Sequence, residues 1–243
     1  MKIVIPVSSH DKHLINDFCS VLNFLGPYLN HELLVVARPA DSEFAIQVFC
    51  KLKSIFPISD IFIFEKDGTL GWPQGPNYYW RETIKHLLEI ENQLPWLWME
   101  LDCTPVKKDW ANSLEKEYNE SKSKCLGMIQ PFILRDKDAT HLVGVAIYPP
   151  DFHMICNSWE TLNDDCLAFD IHCQEEVIKI SENSKLMQHN FRTYDYVCID
   201  KVISGEIKEE RHRKYNFHRP IEDTVVLVHG CDDGSLARVI MNQ

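Results

Sequence analysis

The chain has 243 residues, 45% hydrophobic and 11% aromatic, enough to bury a full core, and its length predicts one domain over 1–243. Its 25 basic and 36 acidic residues leave a formal charge of −11, which argues against wholesale nucleic-acid binding, because duplex binders are usually basic overall. No run of about 18 apolar residues occurs, so no membrane span is expected.

The opening KIVIPV is too short for a secretory leader and reads as a buried strand. Leu14, Phe18, Val21, Leu22 and Leu25 recur at helical spacing, and Gly26-Pro27 stops that helix. HELLVVARP is a second strand; Phe44, Val48, Phe49 and Leu52 mark a second helix; DIFIFEKDG is a third strand with a turn after it. A Gly- and Pro-rich loop leads into a helix from Tyr79 to Glu91, and PWLWMELD is a fourth strand. Strands alternating with single helices predict right-handed crossovers and a mostly parallel α/β sheet flanked by helices. The strands are unbroken apolar runs, as parallel strands covered on both faces require. Beyond them come a helix over Trp110 to Tyr118, strands CLGMIQPFIL and HLVGVAIYPPDF, and a mixed stretch over 160–200. The charged segment EIKEERHRKYNFHRP, a last strand TVVLVHG and a short helix in CDDGSLARVI complete the chain.

Nine cysteines include no CxxC pair, and their odd number without a leader predicts reduced thiols in the cytoplasm. Cys166, His172 and Cys173 offer zinc-ligand chemistry, but adjacent ligands at 172 and 173 do not match structural zinc spacing.

Ligands of parallel sheets bind beyond the carboxyl ends of the strands. WLWMELDCTPV places Glu100 and Asp102 at such an end. Two residues apart on a strand, they share a face and suit a hard divalent cation; the alternative is a capping Asp and a solvated Glu. His229 closes an apolar strand and offers a nitrogen ligand to the same ion, or is a satisfied edge histidine. Gly230, Gly234 and Ser235 would let backbone amides face a phosphate, unless Asp232 and Asp233 simply cap the helix. Gly71, Gly75 and Asn77 stand in LGWPQGPNYYWRE, which is neither a dinucleotide fingerprint nor a P-loop. That loop reads as a phosphate or ribose contact or as a rigid surface turn.

In their order, KIVIPVSSHD, VVARPAD, GWPQGPNYYWRE, WMELDCTPV and LVHGCDDGS resemble the GT-A glycosyltransferases, which use nucleotide-sugar donors. WMELDCTPV stands in the place of that family's DxD motif. Glu100 departs from its first Asp, which makes Asp102 the firmer metal ligand. GWPQGPN and HGCDDGS also resemble small glycosyltransferases of tailed phages, some of which attach sugars to hydroxylated DNA bases. The resemblance implies a GT-A fold with a nucleotide-sugar half over 1–106 and an acceptor half over 107–243. It implies Mn²⁺ or Mg²⁺ on Asp102, Glu100 and His229, with a nucleotide-diphosphate sugar as co-substrate. Pro6, Val7 and Ser8 would line the nucleotide pocket, and Asp41 would touch the base or ribose. Asp170 stands where inverting relatives place a general base; it also fits a helix cap, and Glu175 and Glu176 are runners-up. Arg211, Arg213 and Lys214 would form a lid on the diphosphate, a contact to a DNA acceptor with Tyr215 and Phe217 stacking a base, or a solvated loop. Rival readings are a nucleotidyltransferase, whose Gly-rich basic loop PVSSHDKH lacks, and a catalytically inactive sugar- or protein-binding module.

Overall fold

The computed structural model describes residues 1–68, 71–134, 137–163, 166–189 and 221–242. The first elements alternate: β1 (Lys2–Pro6), α1 (Ile15–Leu25), β2 (Glu32–Ala37), α2 (Ser42–Leu52) and β3 (Ile58–Ile63). Then come α3 (Gln74–Glu89), β4 (Trp96–Trp98), β5 (Thr104–Pro105), α4 (Trp110–Glu120), β6 (Cys125–Leu134) and β7 (Lys137–Tyr148). Short pieces follow: α5 (Phe152–Ile155), α6 (Phe169–His172), α7 (Gln174–Val177), β8 (Ser181–Asn183) and β9 (Met187–His189). β10 (Leu227–His229) and α8 (Ser235–Met241) come last.

Seven strands form one sheet in the order β3-β2-β1-β4-β7-β6-β8. β1 to β4 run parallel, β7 is antiparallel to β4 and β6, and β8 is parallel to β6. This is the expected mostly parallel α/β architecture. A second sheet, β5-β10-β9, carries the last strand.

Alternate residues of the central strands enter two different cores, as the two-residue period of a strand demands. Ile3, Ile5, Leu97 and Met99 pack with Phe18, Leu22 and Val48 of α1 and α2. Val4, Trp96 and Trp98 pack on the other face with Trp80, Ile84 and Phe169. Trp80 lies at the centre of that face, 5.0 Å from Trp96, 5.2 Å from Trp98 and stacked on Phe169 at 4.2 Å between ring centroids. Truncating so buried an aromatic ring costs about 3–5 kcal/mol.

Two boundaries differ from the sequence expectation. The helix expected from Tyr79 starts at Gln74, so Gly75, Pro76 and Asn77 belong to its first turn. First-turn N–H groups have no intrahelical partner, so a proline is tolerated there. The fourth strand ends at Trp98, so Glu100 and Asp102 lie in the turn beyond it and not on the strand. Among the described residues no helix is long and apolar enough to cross a membrane.

Candidate metal centre

Past β4 the backbone follows β1 for one more bond, from Met99 N–H to the Val4 carbonyl at 2.9 Å. It then turns, and Cys103 N–H closes on the Glu100 carbonyl at 3.0 Å. That turn, rather than strand alternation, brings both carboxylates to one side. Cys231 N–H donates to the Asp102 carbonyl at 2.8 Å and joins the turn to the end of β10. His229 thereby meets both acids. Its Nε2 stands 3.4 Å from Glu100 Oε2 and 3.4 Å from Asp102 Oδ1. One ligand atom from each of the three residues lies within 4.8 Å of the other two, the one such group among the described residues. Cys166, His172 and Cys173 form no such group there.

Burial opposes charge on His229, but Asp102 and Glu100 outweigh it and raise the imidazole to about 10. Burial likewise opposes the Asp102 carboxylate, yet the neighbouring His229 holds it below the usual range. Asp102 Oδ1 is buried and accepts no hydrogen bond of good geometry. Two carboxylate oxygens and an imidazole nitrogen, one oxygen without a well-aligned hydrogen bond, are a donor set that fits a hard divalent cation such as Mn²⁺ or Mg²⁺. The Trp98 indole N–H donates to Glu100 Oε1 at 3.2 Å, the kind of supporting bond that orients a ligand.

The loop after β1 lies beside this centre. Val7 is buried, and its carbonyl lies 2.8 Å from the Tyr79 hydroxyl oxygen. Ser8 Oγ accepts from His10 N–H at 3.2 Å. His13 Nε2 lies 2.9 Å from the Asp232 carbonyl, and Arg238 pairs with Asp17, so the C-terminal segment is fastened to the first loop and to the start of α1. Gly234 packs on Asp17 with φ +66°, where any Cβ would strike the carboxylate. Gly230, at φ +85°, turns the chain directly after His229. Ser235 N–H is taken by Asp233 Oδ1 at 2.9 Å, while the cap position of α8 is Gly234 and neither Asp232 nor Asp233.

Asp41 is fully enclosed. Its Oδ1 accepts from Ser9 N–H at 3.0 Å; its Oδ2 accepts from Arg38 Nε at 2.5 Å and from the Tyr79 hydroxyl at 2.8 Å. Asn77, also buried, donates from Nδ2 to the Leu167 carbonyl at 2.9 Å and so braces the segment ahead of α6. Gly71 precedes α3 with its carbonyl bonded to Gly75 N–H at 2.6 Å.

Asp170 sits in the first turn of α6, where Ala168 and not Asp170 is the cap. Its Oδ2 lies 3.4 Å from His141 Nε2 of β7. The preceding Phe169 meets Trp98 at 6.2 Å between ring centroids, which connects this arm to the residue that supports Glu100. Glu176 is taken up by the Ser158 hydroxyl and by Asn157 N–H. Arg211, Arg213, Lys214, Tyr215 and Phe217 lie outside the described residues.

Two histidines escape the sequence reading. His189 is paired with His229 across β9 and β10, and their rings stack at 4.6 Å and 13°. Burial, then the nearby His229, push His189 well below the ordinary imidazole range. His141 is the partner of Asp170. Neither stands in a motif, and β9 is too short for periodicity to signal.

No protein-family model matches the chain, and no curated protein matches it. Among solved structures it is similar to the galactosyltransferase LgtC in complex with donor and acceptor sugar analogues, with a TM-score of 0.56 and 10% identity over 100% of this chain and 95% of that one. An active-site mutant of LgtC matches with a TM-score of 0.53 and 9% identity over 95% of this chain and 87% of that one. At these identities the likeness is one of fold, and the fold is that of the GT-A glycosyltransferases.

Proposed function

We propose that the protein is a divalent-cation-dependent glycosyltransferase that moves a sugar from a nucleotide-diphosphate donor to a hydroxyl acceptor. The observation that carries this reading is the meeting of Glu100, Asp102 and His229 just beyond the carboxyl end of β4, in a GT-A fold. Bound there, Mn²⁺ or Mg²⁺ would supply Lewis-acid stabilisation of the charge that grows on a leaving diphosphate. Asp102 and His229 hold the ion, and Glu100 assists, oriented by Trp98. Pro6, Val7 and Ser8 border the nucleotide, while Asp41 holds that loop in place through Ser9. Gly71, Gly75 and Asn77 brace the donor side, with Gly230 and Ser235 beside the diphosphate. Asp170, paired with His141, is the general base toward the acceptor hydroxyl.

On this reading residues 1–106 and 107–243 are the donor and acceptor halves of one domain. The eight described cysteines are free thiols, which supports a cytoplasmic setting. A hydroxylated base in phage DNA is one acceptor that the sequence resemblance implies; the basic residues that would hold it lie outside the described residues. Nothing observed favours a nucleotidyltransferase or an inactive module.

The test is donor turnover. The protein is incubated with hexose- and pentose-bearing nucleotide diphosphates and Mn²⁺, and release of the nucleoside diphosphate is followed. Turnover of one donor, abolished by chelation and by Asp102→Asn, supports the reading. Failure of every donor with both Mn²⁺ and Mg²⁺ overturns it.

A further inference from the structure

The parallel pairing of β9 with β10 sets His189 directly across from His229. Paired residues of neighbouring strands point to the same face, and the strands lie about 4.8 Å apart. Two flat side chains in that register meet face to face. The two imidazoles do so, with 4.6 Å between ring centroids and 13° between planes. The backbone holds the two strands together: Val226 N–H donates to the Leu186 carbonyl at 2.8 Å and Leu227 N–H to the same carbonyl at 3.1 Å. On its other side His229 presents Nε2 to Glu100 Oε2 and Asp102 Oδ1, 3.4 Å from each. Among the described residues the group that could hold an ion comprises Glu100, Asp102 and His229, without His189.

We propose that His189 is a positioning residue for the metal centre: the face of its ring fixes the plane of the His229 imidazole, so that Nε2 is aimed at the cation. The proposal rests on the divalent-cation reading of that centre and adds a residue to it. The lone pair of an imidazole nitrogen lies in the plane of the ring, so a ring that turns about χ2 loses its aim. That torsion joins an sp³ to an sp² carbon and has a broad, roughly two-fold profile, so the surroundings must set it. Glu100 and Asp102 act on one edge of the His229 ring, and His189 closes one of its faces. Ligating histidines are commonly oriented by a hydrogen bond at the second ring nitrogen. A stack acts on the ring plane and is a separate constraint. The same geometry excludes His189 as a further ligand. In-plane lone pairs on two rings in nearly parallel planes do not converge on one ion, so His189 binds it only by breaking the stack.

The test compares His189→Phe with His189→Leu in the full chain. Both variants remove the ring nitrogens and keep an apolar side chain, but only phenylalanine keeps a flat face against His229. Each is titrated with Mn²⁺ alone. His189→Leu is expected to weaken Mn²⁺ binding about tenfold or more, the scale typical of residues that support a ligand, while His189→Phe stays within about threefold of the parent. His189→Met, also without a flat face, repeats the leucine comparison with a more pliant side chain. The order of the His229 ring is read from ¹³C relaxation at Cε1 in the ion-free protein. It falls in His189→Leu and is retained in His189→Phe. A role in packing alone would make Mn²⁺ affinity follow the melting temperature of the ion-free variants, which is measured alongside. Equal Mn²⁺ affinity in the phenylalanine and leucine variants, or a His229 ring as ordered in His189→Leu as in the parent, overturns the proposal. A parent protein that binds no Mn²⁺, or that binds it equally well after His229→Gln, counts against the metal centre itself, and the ring-order comparison still decides what His189 does.

Discussion

The backbone N–H of Cys231 donates to the carbonyl of Asp102 at 2.8 Å, so the turn after β4 and the turn after β10 are held as one unit. Residues almost 130 positions apart in the chain thereby present three ligand atoms to one point. The two acids are unequal there. Asp102 is mostly enclosed, with 16% of its side chain exposed against 37% for Glu100, and the more enclosed oxygen has fewer competing waters. Asp102→Asn is expected to weaken Mn²⁺ binding at least 100-fold, about 2.7 kcal/mol, and Glu100→Gln only about tenfold. Calorimetric titration of each variant with Mn²⁺ checks the order. Equal losses would remove the primacy of Asp102.

The proton on His229 sets a second expectation. Without an ion, the paired acids hold it up to about 10 against an ordinary 6.5. A metal takes only the neutral imidazole, so binding near neutral pH must release this proton. Affinity therefore rises with pH until about 10. The ion-free protein behaves oppositely: the charged His229 contributes stability that is fully present below 6.5 and is lost as pH rises through about 10. Titrations in buffers of different ionisation enthalpy count the released proton. His229→Gln should abolish both the release and the pH slope, and an unchanged slope would contradict the assignment.

Much of this was legible in the sequence, for identifiable reasons. Strands of a parallel sheet are buried on both faces, so KIVIPV and HELLVVARP stand out as apolar runs. Glu100 and Asp102 stand out because they interrupt such a run where β4 ends. A shared strand face does not explain their convergence, since the ladder stops at Trp98 and the following turn brings them together. Asp41 shows a different limit. The spacing Arg38 to Asp41 spans one short turn and forms a buried ion pair, which a reading aimed at donor contacts passes over. His189 was beyond reach because its significance depends on a register with β10 that no local pattern encodes.

Trp98 offers a test of support around the ion. Its ring packs 5.2 Å from Trp80, while its indole N–H holds Glu100 Oε1 at 3.2 Å. Trp98→Phe keeps an aromatic ring under the sheet but removes that donor together with part of the buried ring volume. Loss of such a supporting bond typically costs about 10–100-fold in metal affinity. Mn²⁺ binding should fall about tenfold in Trp98→Phe, and hardly further when Glu100→Gln is added, because the indole acts through Glu100. Full additivity in this double-mutant cycle would show that Trp98 matters for packing alone.

Asp41 and Arg38 provide the last prediction. Burial opposes the Asp41 carboxylate, but bonds from Arg38, Ser9 and Tyr79 prevail and hold it below its ordinary 3.8. A depressed carboxylate contributes stability that is present above the ordinary value and is lost as pH falls through the depressed one. Asp41→Asn leaves the Arg38 guanidinium buried without its counter-charge, which costs about 3–5 kcal/mol. It also weakens the acceptor for Ser9 N–H, the bond that fixes the loop after β1. Urea unfolding across pH 2–7 should therefore show a large loss for Asp41→Asn at neutral pH and a smaller gap to the parent protein in acid. Mn²⁺ affinity should stay within about twofold, because Asp41 touches none of the three ligands, while the half-saturating donor concentration rises as the Ser8–Ser9 loop loosens. A variant as stable as the parent at pH 7 would mean that Arg38 finds its charge partner elsewhere, and the account of this loop would fail.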